Sequence, residues 1–90
     1  MVLHPMVIRA FVLVTTKPGT SHEIVTSRRI RGVKMASSVF GRFDVVLVIE
    51  AKNLQELAKI IYDDIASHPN VVHTETLISV FPPGTHRVES

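Results

Sequence analysis

The chain has 90 residues, which is enough for one domain and too few for two. Its net charge of +2 is too small to argue for nucleic acid by itself, and the absence of cysteine excludes disulfides and thiolate metal sites. The hydrophobic share of 46% exceeds what a small monomer buries easily, so composition favours self-association.

The first third of the chain predicts a strand followed by a helix. Residues 7–14 are rich in valine, isoleucine and phenylalanine, and the turn-forming residues 17–19 follow them. Thr20 and Glu23 have the spacing of a capping box, in which each side chain bonds a free backbone N–H at a helix start. We therefore expect a helix from Thr20 to about residue 30.

The middle of the chain predicts a hairpin. Residues 33–40 and 45–50 have strand composition, and the turn of residues 41–44 joins them closely enough to make them antiparallel. Asn53 and Glu56 have the spacing of a second capping box. Helical periodicity follows at Leu54, Leu57, Ala58, Ile61 and Ile65.

The last part of the chain predicts a fourth strand and a tail. Residues 69–70 interrupt the helix, and residues 71–80 form the strand. We expect residues 1–80 to form a single domain and residues 81–90 to be a flexible C-terminal tail.

The predicted order is β-α-β-β-α-β, which indicates an α+β, ferredoxin-like fold. Its four-stranded antiparallel sheet carries two helices on one face. The other face has no cover from this chain, yet residues 45–49 are apolar on both faces, as is much of residues 7–14. We therefore expect two copies to dimerise through their sheets as a dimeric α+β barrel.

No catalytic signature is present. The chain has no P-loop, no dinucleotide-binding glycine motif and no nucleophile elbow. None of its five histidines has a metal-ligand spacing: His4, His22, His68, His73 and His86. We predict no catalytic residue, no metal and no cofactor. No apolar run approaches the roughly 20 residues that span a membrane, so we expect no membrane partner and a cytoplasmic protein.

Asp44 and two threonines are candidates for ligand contacts. Asp44 follows Gly41 in the hairpin turn, where its carboxylate either caps the turn or accepts bonds from a ligand ammonium group. Thr74 and Thr76 lie two apart on the last strand, so both hydroxyls point to one face. They are either ordinary strand residues or hydrogen-bonding groups of a small site.

These motifs together resemble a known family. The turn of residues 17–19, the pair Gly32 and Val33, the turn of residues 41–44 and the segment of residues 69–76 occur in this order and spacing. The pattern is similar to the effector-binding domain of the Lrp/AsnC transcriptional regulators, also called the RAM domain. The resemblance covers residues 7–80.

The resemblance implies a fold, an assembly and a ligand. Members have the βαββαβ fold, dimerise through their sheets and commonly form an octamer of four dimers. They bind amino acids or related metabolites between dimers. By position, the resemblance implies that Gly41 and Asp44 contact the ligand's backbone groups and Phe43 lines the site. Thr74 and Thr76 become candidate contacts.

The resemblance also implies a role for this chain. Full-length regulators carry an N-terminal helix-turn-helix domain, for which the residues before the first strand leave no room. We therefore expect a stand-alone RAM domain that regulates amino-acid metabolism through oligomerisation or a full-length Lrp/AsnC partner, without direct specific DNA binding.

Three alternatives stay open. Small monooxygenases and isomerases use the same paired-sheet architecture, and such an enzyme has a histidine or acid in its cleft. His22 and His73 are the central candidates for that role. An ACT-type amino-acid-binding module has the same element order. An assembly adaptor without a ligand is the third possibility.

Overall fold

The computed structural model describes residues 7–26 and 30–79. Its elements follow the predicted βαββαβ order, which confirms the α+β, ferredoxin-like fold. They are β1 (Ile8–Thr16), α1 (Ser21–Val25), β2 (Val33–Ser38), β3 (Val45–Ala51), α2 (Leu54–Lys59) with a π-helical continuation (Ile60–Ile65), and β4 (Val71–Ile78). The predicted flexible tail, residues 81–90, lies outside the described residues.

The four strands form one antiparallel sheet in the order β2-β3-β1-β4. The first strand, β1, is thus one of the two internal strands, and the last strand, β4, is at an edge of the sheet. Val14 of β1 lies opposite Val45 of β3 on one side and opposite Thr74 of β4 on the other. This register brings the β2–β3 turn and the start of β4 to the same end of the sheet.

The core lies between the helices and one face of the sheet. Side chains alternate along β1 and β3, so every second residue is buried. Ile24 of α1 and Leu57, Ile60 and Ile65 of the second helix pack against this face. The buried strand residues are Ala10, Val12, Val14, Thr16, Val45, Leu47, Ile49 and Ala51.

The opposite sheet face is uncovered in this chain, and we call it the open face. Phe11, Leu77 and Met35 lie on it with 38%, 52% and 62% of their surfaces exposed. The Arg9 guanidinium pairs there with the Glu50 carboxylate at 2.8 Å. These apolar side chains have the composition of an interface, and the dimerisation itself stays a prediction.

The start of α1 differs from the prediction. The Thr20 hydroxyl donates back to the Lys17 carbonyl at 2.7 Å and makes no capping bond to the helix. The Glu23 carboxylate accepts a hydrogen bond from the Asn70 side chain, which ties α1 to the loop before β4. The capping box predicted for these residues was therefore wrong. Helix α1 ends at Val25, and residues 27–29, which the prediction included in it, lie outside the described residues.

The start of α2 confirms the Asn53 half of the capping box predicted from the sequence. The Asn53 side chain accepts a hydrogen bond from the Glu56 N–H at 2.8 Å. The helix then changes to π-helical hydrogen bonding, in which the Ala66 N–H donates to the Ile61 carbonyl five residues earlier at 2.7 Å. Across residues 7–26 and 30–79, none of the helices has the length and apolar composition needed to cross a membrane.

Candidate ligand-binding site

The turn between β2 and β3 is hydrogen-bonded to strand β1. The Asp44 N–H donates to the Val14 carbonyl at 2.9 Å, and the Asp44 carbonyl accepts from the Val39 N–H at 2.9 Å. The first bond joins the turn to β1, and the second closes the turn on itself. Asp44 therefore occupies a defined position at one end of the sheet.

The Asp44 carboxylate is oriented by Thr16. Its Oδ2 accepts the Thr16 backbone N–H at 2.8 Å and lies 3.4 Å from the Thr16 hydroxyl. Its Oδ1 accepts no hydrogen bond from any residue that the structure describes. Asp44 thus has a structural role, and its carboxylate bonds the end of β1 rather than the backbone of its own turn. One carboxylate oxygen stays available to a ligand.

Most of the other residues around this turn are exposed to solvent. Gly41 has a φ of +127°, a conformation that favours glycine, and a Cβ added there meets no atom within 4 Å. Phe43 is half-buried, and the Arg42 guanidinium lies 5.9 Å from the centre of its ring. Phe40 is fully exposed. The turn therefore presents aromatic and apolar surface beside the Asp44 carboxylate.

Thr74 and Thr76 share one face of the sheet, as their two-residue spacing predicted, and the structure shows that this face is the one covered by the helices. They line a groove of about 420 Å³ between β4 and the second helix, which we call the helix groove. Its other lining residues are Leu54, Leu57, Ala58, Ile61, Tyr62 and Ile78. The volume falls within the range of small-molecule sites.

The five predicted contact residues form two groups within one chain. Gly41, Phe43 and Asp44 lie in the turn and do not line the helix groove, whereas Thr74 and Thr76 do. The two groups lie on opposite sides of β1, because Asp44 bonds the backbone of Val14 from one side while Thr74 lies opposite Val14 on the other. The backbones of Asp44 and Thr74 are thus about two strand spacings apart, roughly 10 Å.

Sequence reasoning did not predict that the second helix forms one wall of a candidate site. The sequence showed Leu54, Leu57, Ala58 and Ile61 as the apolar face of a helix, which by itself indicates only core packing. Leu54 and Tyr62 are 57% and 71% exposed, so this face is wider than the core that it covers. The signal was an apolar stripe that continues onto Tyr62.

The histidines considered for an enzyme do not lie in the groove. His22 is exposed on α1, and His73 is exposed on β4 opposite Thr15 of the open face. His68 accepts the Asn70 N–H through Nδ1 at 3.1 Å, a turn contact. Among residues 7–26 and 30–79, no group of three or more histidine, aspartate or glutamate side chains is placed to hold a metal.

Comparison with known proteins gives structural neighbours of similar, slightly smaller size. FFRP-DM1 is similar, with a TM-score of 0.77 and 28% identity over 81% of this chain and 99% of that one. The hypothetical protein PHS023 from Pyrococcus horikoshii has a TM-score of 0.75 and 27% identity over 90% of this chain and 99% of that one. No match was found among curated protein sequences.

Longer proteins share the fold. The feast or famine regulatory protein Rv3291c of M. tuberculosis, determined in complex with L-methionine, has a TM-score of 0.69 and 22% identity over 91% of this chain and 56% of that one. The family model described as the Lrp/AsnC ligand binding domain matches residues 9–86, most of the sequence. This match confirms the resemblance inferred from the motifs. The chain therefore belongs to the Lrp/AsnC ligand-binding domain family.

Proposed function

We propose that this chain senses a free amino acid and regulates amino-acid metabolism through its own oligomer or through a full-length Lrp/AsnC regulator. The family is one of ligand-binding regulatory domains. A neighbour of the same fold is known in complex with L-methionine, which supports an amino acid as the ligand. The protein acts in the cytoplasm in this proposal.

The Asp44 carboxylate is the observation that carries the proposal. Thr16 holds one of its oxygens, so the group is oriented before any ligand arrives. The second oxygen is free of bonds from the described residues and is suited to an α-ammonium group. A charge-assisted bond of this kind contributes about 1.5–3 kcal/mol.

The other predicted contacts complete the site. The open Gly41 backbone permits close approach of the ligand, and Phe43 supplies an apolar wall. Thr74 and Thr76 offer hydroxyls that donate or accept hydrogen bonds. We place this site at an interface between dimers, in an assembly of four dimers joined as an octamer.

Calorimetry with the twenty amino acids tests the proposal, and Asp44→Asn is the decisive variant. Asparagine keeps a side-chain oxygen for the Thr16 N–H and removes the negative charge. We expect the variant to fold and assemble like the parent and to bind the ligand roughly tenfold to a hundredfold more weakly. Thr76→Val keeps the shape, removes one hydroxyl and should cause a smaller loss.

Asp63→Asn is the matched control. Asp63 is an exposed carboxylate on the second helix and does not line the helix groove, so its neutralisation should leave affinity unchanged. If folded Asp44→Asn binds as tightly as the parent, Asp44 serves only to fasten the turn. If none of the twenty amino acids binds the parent, the proposed function is wrong.

A further inference from the structure

The helix groove has two chemically different walls. The strand wall carries the hydroxyls of Thr74 and Thr76, and the helix wall carries aliphatic side chains together with Tyr62. None of the eight lining residues is an aspartate, glutamate, lysine, arginine or histidine. A charged group placed in the groove would therefore lose water without gaining an ionic partner from its lining.

The polarity of the groove also changes along its length. Thr74, Thr76 and Ile78 lie opposite Val14, Val12 and Ala10 in the strand register. Thr74 is thus nearest the end of the sheet at which Asp44 bonds Val14, and Ile78 is farthest from it. The groove runs from hydroxyl groups near the Asp44 end to an apolar far end.

We infer that the helix groove receives the side chain of the bound amino acid and restricts it to large apolar residues of the leucine, isoleucine, methionine and phenylalanine class. This inference rests on the proposed function, since it takes the ligand to be an amino acid. The polar backbone of the ligand lies toward Asp44 and Thr74, and its side chain lies against the groove-lining residues Ala58, Ile61 and Tyr62. Removal of apolar surface from water supplies the preference.

Calorimetry on the parent chain gives the first test. Leucine, isoleucine, methionine and phenylalanine should bind at least roughly tenfold more tightly than glycine, aspartate or lysine. Only the first group buries apolar surface in the groove without leaving a charged side chain unpaired. Equal affinity for lysine or aspartate would overturn the inference.

A variant that fills the groove gives the second test. Ala58→Phe places a large side chain in the groove, and we expect it to weaken leucine or methionine binding at least roughly tenfold while changing glycine binding little. Gln55→Phe is the control, since it adds the same side chain to the same helix at an exposed position outside the groove. Tyr62→Ala, at an exposed wall position, removes apolar surface without filling the groove and should reduce the preference for leucine over glycine.

The outcomes separate this inference from the proposed function. If amino acids bind the parent but folded Ala58→Phe and Tyr62→Ala leave the apolar preference unchanged, the side chain lies elsewhere and only this inference fails. If no amino acid binds the parent at all, the proposed function fails and the inference falls with it.

Discussion

At Gly32 the loop before β2 passes against β3 with no room for a side chain. A Cβ built there lies 2.7 Å from the Glu50 carbonyl oxygen and 3.1 Å from the Ile60 side chain. The Gly32 carbonyl also accepts the Glu50 N–H at 2.9 Å, so the two backbones cannot separate without losing a hydrogen bond. Gly32 therefore permits the close contact between this loop and β3.

Gly32→Ala should consequently destabilise the fold. Gly19→Ala is a matched control, because Gly19 has nearly the same φ, +79° against +76°, but open space around its Cβ. The backbone strain is then shared, and the clash alone should make Gly32→Ala about 1–3 kcal/mol worse in the free energy of unfolding. Urea denaturation measures the difference, and equal losses in the two variants would contradict the predicted clash.

The candidate contacts show what a sequence conveys about single residues. The common face of Thr74 and Thr76 followed from strand alternation, which is a local property. The bond between Asp44 and Thr16 could not be predicted in this way, because Thr16 is 28 residues away in sequence and comes close only when β1 and β3 pair. The ligand contacts themselves stay predictions, since they depend on a molecule and neighbouring copies that one chain does not contain.

Among the elements, the two helix starts looked alike in sequence and differ in structure. Asn53 caps α2 through the Glu56 N–H, whereas the Thr20 hydroxyl bonds backward to Lys17. A side chain at a helix start has several acceptors and donors within reach, and the preceding turn decides among them. The order of elements was predictable from the periodicity of hydrophobic residues, but the length of α1 and the π-helical part of the second helix were not.

Alanine substitutions at the two helix starts test this difference. Asn53→Ala should lower the free energy of unfolding by about 1 kcal/mol, because the Glu56 N–H loses its acceptor. Thr20→Ala removes no capping bond and should cost less than about 0.5 kcal/mol. Thermal or urea denaturation checks both, and a larger loss at Thr20 would show that its bond to the turn matters more than the cap at Asn53.

For the whole molecule, the open face explains why so small a chain is so rich in apolar residues. The sequence predicted that a second copy covers this face, because residues 45–49 are apolar on both sides. The structure places Leu47 in the core and Phe11 on the open face, so Leu47 tests folding and Phe11 tests assembly. One face of β3 therefore supports the fold, and the other is available to a second copy.

Phe11→Asp should prevent assembly without unfolding the chain. A charge on the open face is solvated in a monomer but would lose its water if two sheets stacked. We expect sedimentation at micromolar concentration to show a 10.0 kDa species for the variant and a larger one for the parent. Leu54→Asp, an exposed apolar position on the helical side, is the control and should leave at least the dimer. A monomeric parent would refute assembly through the sheets.

The weak net charge argues against specific recognition of DNA by this chain alone. The charge is only +2, and the two described helical regions are separated by a β-hairpin, unlike a helix-turn-helix. We expect any mobility shift with DNA to disappear by about 200 mM salt, since non-specific phosphate contacts weaken steeply as salt rises. A complex that persists and discriminates between sequences would disprove this expectation.

The Arg9–Glu50 ion pair on the open face has a consequence for the choice between related chains. As a neutral unit among apolar side chains, it can be covered by a second copy that meets both charges together. A relative with a different charge at either position would leave one ion buried and unpaired, which is costly. A Glu50→Lys chain should therefore assemble less well than the parent, alone or mixed with it, because Arg9 would face a second positive charge in place of its counter-ion. Assembly through the open face should thus be sensitive to a change of charge at either of these two positions.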